Sequence, residues 1–114
     1  MKQMIVMRKD LNMRKGKMVA QGAHASLKAT LAHLDHEYVS IWLDGPFKKV
    51  CVSVESEKEL FEVLDSAQKA GIITALITDD GLTEFSGVPT HTCIAVGPAT
   101  DDELENITGH LKLL

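Results

Sequence analysis

Short runs of apolar and β-branched residues alternate along this chain with segments of helical periodicity, and this order most restricts its fold. Four runs have the length and composition of buried strands, namely residues 3–7, 49–54, 72–77 and 92–96. The long helical segments are residues 13–34, 56–69 and 100–108. Because helical crossovers between parallel strands cover both faces of a sheet, this order predicts a three-layer α/β/α sandwich.

Local signals define several boundaries of these elements. Capping boxes mark the starts of the last two helices, in the pairs Ser56/Glu59 and Thr100/Glu103. Residues 38–43 have the composition of a short additional helix, and Gly97-Pro98 is expected to end the fourth strand. Residues 78–91 have no helical period. This gap between the third and fourth strands indicates either an antiparallel strand or a functional loop.

The first helical segment carries an unusual polar stripe. At 100° per residue, Lys17, Gln21, His24 and Lys28 fall on one side of the helix, and small residues flank them. A helix with so little bulk can approach a sheet closely, so the stripe is expected to border a cleft. The alternative is a solvated helix face with His24 in a structural role.

The charge is distributed unevenly along the chain. The whole sequence carries a net charge of −4, but residues 1–28 hold seven lysines and arginines and one acid. The remaining residues hold five basic and fifteen acidic side chains. This polarity favours a local anionic partner over general polyanion binding, although simple charge drift on a small surface is the competing interpretation.

Length and composition exclude several classes of protein. A chain of 114 residues is expected to form a single domain over residues 1–114. No apolar run is long enough to span a membrane, and the apolar part of the first residues is too short for a signal peptide. We therefore expect a cytoplasmic protein. Cys51 and Cys93 lie in apolar runs, so both are expected to be reduced, buried thiols.

The common catalytic motifs are missing from the sequence. Neither a phosphate-binding loop nor a G-x-G-x-x-G or G-x-S-x-G motif occurs. His33 and His36 have the spacing of metal ligands but lack acidic or cysteine companions, so no metal site is predicted. A basic helix bearing His24 and an acid-rich loop at residues 78–85 remain. Histidine and aspartate together can activate water, and lysine and threonine can stabilise an oxyanion.

At these residues the sequence resembles the peptidyl-tRNA hydrolase type 2 family. The resemblance rests on Arg8-x-Asp10-Leu11-x-Met13-x-x-Gly16-Lys17, Ala20-Gln21-x-x-His24-Ala25, Ile77-x-Asp79-x-Gly81-x-Thr83, Thr92 on a strand ending in Gly97-Pro98, and the tail at residues 108–114. It extends over essentially the whole chain in order. It implies a four-stranded mixed sheet between helices, often in a homodimer, and an esterase without a metal ion or other cofactor. That enzyme releases tRNA from peptidyl-tRNA by hydrolysing the ester at its 3′ end.

The resemblance also implies roles for individual residues. Its catalytic candidates are Lys17, His24, Asp79 and Thr83. Its candidates for substrate binding are Arg8, Arg14, Lys15, Gln21, Lys28 and Thr92, with Gln21 and Thr92 as supporting polar contacts and the basic residues along the tRNA backbone. Either His24 or Asp79 would orient or deprotonate the water, while Lys17 would meet the developing negative charge or the terminal phosphate. The resemblance leaves the choice between these two bases open.

One segment departs from the family pattern. Where the family often has Asp-Ala-Gly-Arg-Thr-Gln, this chain has Asp79-Asp80-Gly81-Leu82-Thr83-Glu84, which removes a cation and adds Asp80 and Glu84. The change indicates a different approach of tRNA, or an activity that is weaker or redirected. Two alternative functions therefore stay open. One is a non-catalytic RNA- or protein-binding module, and the other is hydrolysis of another acyl or aminoacyl ester.

Overall fold

The computed structural model describes residues 1–82 and 84–114. The predicted catalytic residue Thr83 lies outside the described residues. The helices are α1 (Lys15–Leu31), α2 (Glu37–Asp44), α3 (Glu57–Lys69) and α4 (Asp101–Thr108). The strands are β1 (Lys2–Arg8), β2 (Lys49–Val54), β3 (Thr74–Asp79), β4 (Thr90–Ala99) and β5 (Lys112–Leu113). None of the helices in the described part of the chain is long and apolar enough to cross a membrane.

The described strands form one mixed sheet in the order β3-β4-β1-β2-β5. β1 and β2 are parallel, whereas β4 is antiparallel to both β1 and β3. β1, β2 and β3 therefore run in the same direction, and their carboxyl ends lie at the same edge of the sheet. Arg8 and Asp79 end two of these strands at that edge. The segment between β3 and β4 thus leads into an antiparallel strand, one of the two predicted alternatives.

The predicted number of four strands is wrong, because the C-terminal tail adds a fifth. Lys112 and Leu113 pair antiparallel with Ser53 and Val52 at the edge of β2. Two residues are too few to show a strand period, so the tail could not be distinguished from a loop. The strand forms because the edge of β2 offers unpaired backbone groups.

Gly97-Pro98 does not end the fourth strand as predicted, since β4 continues to Ala99. Gly97 has a φ of 104° and donates its backbone N–H to the carbonyl of Ile73 at 2.7 Å. A Cβ at this position would lie 2.9 Å from the backbone oxygen of Lys2. Glycine therefore lets the strand pass close to β1 and continue, instead of terminating it.

Hydrophobic clusters occupy both faces of the sheet. Because side chains alternate along a strand, Met4 and Val6 of β1 face one cluster while Ile5 and Met7 face the other. The first cluster includes buried residues of α3 and α4, among them Leu60, Leu64, Leu104 and Ile107. The second includes the small residues Ala25 and Ala29 of α1. Ser56 and Thr100 cap their helices as predicted, accepting from the backbone N–H groups of Glu59 and Glu103. The full capping box is confirmed for Thr100/Glu103, whereas among the described residues the pair Ser56/Glu59 makes only the first of its two bonds.

The short side chains of α1 bring this helix close to the sheet. α1 contacts β4, β3 and β1, and a Cβ added to Gly22 would already be 3.6 Å from Ile5. The helix starts at Lys15, soon after β1 ends at Arg8. Its first turns therefore lie at the sheet edge where β1 and β3 end.

Candidate active site

An ion pair joins the first helix to the end of the third strand. Lys17 Nζ lies 2.7 Å from Asp79 Oδ1, and the two side chains are only 14% and 11% exposed. The Lys17 ammonium also lies 5.7 Å from the centre of the Phe85 ring. Lys17 and Asp79 are 62 positions apart in the sequence. The polar stripe of α1 therefore carries a fixed cation–anion pair at its Lys17 end.

Donors surround both oxygens of the Asp79 carboxylate. Oδ1 accepts from the Gln21 amide at 3.4 Å as well as from Lys17, and Oδ2 accepts from the backbone N–H of Gly81 at 2.9 Å. The hydrogen bond from Lys17 is the largest of the causes that lower the pKa of Asp79. The Gly81 bond and the charges of Lys17 and His24 act in the same direction, against the opposing effect of burial. The carboxylate is therefore ionised at neutral pH.

His24 is exposed on the same side of α1 as Lys17 and Gln21. None of the hydrogen bonds or ion pairs among the described residues involves His24. Its positive form contributes to the lowered pKa of Asp79. A structural histidine is usually buried or hydrogen-bonded, so these features favour an imidazole available to solvent and substrate.

Gln21 and Thr92 lie beneath this surface. Gln21 is buried, and the Thr92 hydroxyl, which has no exposed surface, donates to Gln21 Oε1. The Cys93 thiol donates to the backbone oxygen of Gln21 at 3.3 Å. Burial raises the pKa of Cys93 to about 12, so it stays a neutral thiol. These bonds tie α1 to β4 directly behind Asp79.

The predicted cations of the tRNA-binding surface occupy different environments. Arg8 is buried and binds both carboxylate oxygens of Asp10, at 3.1 and 2.7 Å, and it donates to the backbone oxygen of His91 at 3.1 Å. Lys28 is exposed and donates to the carbonyl of Leu76 at 2.9 Å. Arg14 and Lys15 are exposed at the start of α1. Arg8 is thus mainly engaged inside the protein, whereas the other three are open to solvent.

The acidic residues that depart from the family pattern are also in contact with the protein. Glu84 Oε1 lies 3.7 Å from Arg14 Nε. Asp80 is exposed and accepts from the backbone N–H of Leu82 at 3.1 Å. Glu84 therefore pairs with one of the cations expected to contact RNA, which reduces the repulsion that its charge would otherwise impose on phosphate.

The two histidines with metal-ligand spacing have structural contacts. His33 Nδ1 lies 2.9 Å from the carbonyl of Ala29, and His36 Nδ1 accepts from the backbone of Tyr38 at the start of α2. Within residues 1–82 and 84–114, no three histidine, cysteine or acidic side chains converge as a metal site.

An apolar groove on the other side of α1 was not predicted from the sequence. Its volume is about 730 Å³, and its lining includes Val19, Leu27, Trp42, Phe47, Cys51 and Leu114. Cys51 is exposed, so the prediction of two buried thiols is wrong for this residue and holds for Cys93. Cys51 is exposed because the groove lies open above this part of β2. The exposed leucines of α1, Leu27 and Leu31, were an available signal.

The chain is similar to known proteins over its whole length. The family model for "Peptidyl-tRNA hydrolase PTH2" matches residues 1–114. A peptidyl-tRNA hydrolase of Thermococcus onnurineus is 48% identical over 99% of this chain and 97% of the relative. Those of Methanocaldococcus jannaschii and Halobacterium salinarum are 45% and 46% identical and cover 100% and 99% of both chains, respectively. The resemblance seen in the sequence is confirmed, and the chain belongs to the PTH2 family of peptidyl-tRNA hydrolases.

Proposed function

We propose that this chain, a hydrolase by family, cleaves the ester between a peptide and the 3′ end of tRNA by direct attack of water. The products are a free peptide carboxylate and a tRNA with a 3′-terminal hydroxyl, which can return to translation. The observation that carries this proposal is the Lys17–Asp79 ion pair at the sheet edge, with His24 open to solvent on the same helix face. The proposed reaction uses protein groups and water only, without a metal ion.

His24 is the base in this proposal, because Asp79 is held as an anion by its donors and is a weak proton acceptor. Imidazole is the side chain that most readily exchanges a proton near neutral pH. His24 takes a proton from water as the oxygen attacks the ester carbonyl, and Lys17 stabilises the negative charge on the carbonyl oxygen. When the tetrahedral intermediate collapses, the imidazolium returns the proton to the departing ribose oxygen. Thr83 remains a proposed catalytic residue.

Asp79 has a supporting role in this scheme. It balances the charge of Lys17 in a site that is largely removed from solvent, so the ammonium stays in place without its full hydration. A lysine held in this way is preorganised for the charge that develops on the substrate.

Arg14, Lys15 and Lys28 are the proposed contacts to the tRNA backbone. Arg14→Ala combined with Lys15→Ala is expected to weaken binding of tRNA and to reduce the slope of log affinity against log salt by about one to two. Lys69→Ala is the matched control, because Lys69 is an exposed cation at the end of α3, paired with Asp65. Filter binding between about 50 and 200 mM salt measures the effect. An equal loss of affinity in the control would contradict the proposed tRNA surface.

Several broader features belong to the same proposal. We infer that residues 1–114 act as one cytoplasmic domain in which helices cover both faces of the sheet as three layers. The two core clusters on opposite sides of β1 support the layering. We also propose a homodimer, supported by the open apolar groove and the exposed Val19 and Leu27 beside it, because monomers seldom expose such a surface.

The function is tested with purified protein and labelled peptidyl-tRNA in the presence of a chelator. We expect repeated turnover that releases peptide, and little release from aminoacyl-tRNA or a small peptidyl ester. Binding of peptidyl-tRNA without release would instead favour the non-catalytic module. Preferred cleavage of a different ester would favour the alternative function, hydrolysis of another acyl or aminoacyl ester.

A further inference from the structure

The Thr92 hydroxyl is buried too deeply to contact a substrate. Thr92 lies on β4 with no exposed surface, and its hydroxyl donates to Gln21 Oε1. Its other contact is a long one, 3.8 Å to the Cys93 sulfur. The hydroxyl hydrogen is therefore committed to the Gln21 amide oxygen.

This bond and the Asp79 carboxylate, which can only accept, together fix the orientation of the Gln21 amide. A glutamine amide has an acceptor on one side and donors on the other. With its oxygen held by Thr92, its NH₂ group points to Asp79 Oδ1 at 3.4 Å. If the amide were reversed, its carbonyl oxygen would face the carboxylate. Two hydrogen-bond acceptors would then be in contact, which is unfavourable.

The result is an ordered chain of donors that crosses β4, α1 and β3. Gln21 and Lys17 both donate to Asp79 Oδ1, and Gly81 donates to Oδ2. Gln21 is itself only 3% exposed, so water competes little for its amide. The Cys93 thiol fixes the backbone of Gln21 against β4 at the same point.

We propose that Thr92 and Gln21 are positioning residues, which orient the Asp79 carboxylate and through it Lys17, instead of contacting tRNA or peptide. This inference rests on the proposed hydrolysis for its effect on rate, but the orientation itself is a property of the free protein. Removing the Thr92 hydroxyl leaves the Gln21 oxygen unpaired in a buried place and removes one of the two contacts that hold the amide. Asp79 then loses an ordered donor, and Lys17 loses a fixed partner.

The test compares Thr92→Val, which keeps the shape and removes the hydroxyl, with Thr92→Ser, which keeps the hydroxyl. We expect Thr92→Val to lower kcat by about tenfold or more and to change KM by less than about twofold. Thr92→Ser is expected to recover most of kcat. Thr108→Val is the matched control, because Thr108 is a buried threonine on α4 whose hydroxyl donates to Leu104. Rates are compared below the unfolding temperature of every variant.

A second readout needs no substrate. The Asp79 carboxyl is titrated by carbon NMR in the free protein, where Lys17 and His24 are the other charged groups that act on it. Loss of an ordered donor is expected to raise the pKa of Asp79 in Thr92→Val and to leave it near the wild-type value in Thr92→Ser and Thr108→Val.

Three results would overturn the inference. A raised KM with normal kcat in Thr92→Val would indicate a substrate contact. Failure of Thr92→Ser to recover kcat would indicate that side-chain volume matters and not the hydroxyl. An unchanged Asp79 titration in Thr92→Val would show that the amide does not orient the carboxylate. If the wild type does not hydrolyse peptidyl-tRNA while the titration still shifts, the proposed function fails and the positioning role stands.

Discussion

Replacing Asp79 by asparagine is expected to lower kcat/KM for peptidyl-tRNA by about a hundredfold or more, equivalent to about 2.7 kcal/mol of transition-state stabilisation. The neutral amide cannot balance the charge of Lys17, whose side chain is largely removed from solvent. Lys17 then loses the ion pair that holds it where it stabilises the oxyanion. Steady-state kinetics on labelled peptidyl-tRNA measure the loss, and circular dichroism checks that the fold is intact.

Asp80→Asn is the matched control for this change. It removes the same charge one residue later, from an exposed side chain that, among the described residues, accepts only from the backbone of Leu82. Activity within about twofold of wild type is expected for a surface charge of this kind. Normal turnover in Asp79→Asn, or an equal loss in Asp80→Asn, would contradict the role assigned to the ion pair.

The same pair also sets a pH dependence of stability. The folded state lowers the pKa of Asp79, so the pair stabilises the protein at pH values above the unfolded pKa of aspartate. The stabilisation is lost as the pH falls through the folded-state pKa of Asp79. Asp79→Asn is expected to flatten this part of the acid-unfolding curve.

His24→Ala is expected to cause a loss of similar size, about a hundredfold in kcat, because the general base is removed. Added imidazole is expected to restore part of the rate, since the exposed position leaves room for it.

His110→Ala is the control for His24→Ala, because His110 is an exposed histidine in the C-terminal tail beyond α4. It is expected to keep the wild-type rate. Near-normal turnover in His24→Ala would show that another group accepts the proton, with Asp79 as the remaining predicted candidate.

Local signals predicted most of the fold, and long-range pairing explains what they missed. Ser56 and Thr100 were recognisable as helix caps because their partners lie three residues away. β3 was predicted two residues too early, since its polar end at Thr78 and Asp79 is a strand only through pairing with β4. The strand at Lys112–Leu113 depends in the same way on β2.

The candidate site shows the same division between features that local signals predict and features that depend on long-range contacts. The stripe of Lys17, Gln21 and His24 follows from helical geometry, but no spacing rule relates it to Asp79 far along the chain. The family resemblance supplied that link. The sequence marked Arg8 as a cation without revealing its burial, although an aspartate two residues later, Asp10, was a signal of pairing.

The central claim is that His24 and the Lys17–Asp79 pair act together in one step, the attack of water on the ester carbonyl, with His24 on the water and Lys17 on the carbonyl oxygen. It is tested most directly by the single-turnover rate of peptide release in the double variant His24→Ala/Asp79→Asn, beside the two single variants. Groups that act as one unit give a double variant about as slow as the slower single variant, and this is the result we expect. Losses that multiply, so that the double variant is about ten-thousandfold slower than wild type, would show that the two groups act independently and would contradict the account.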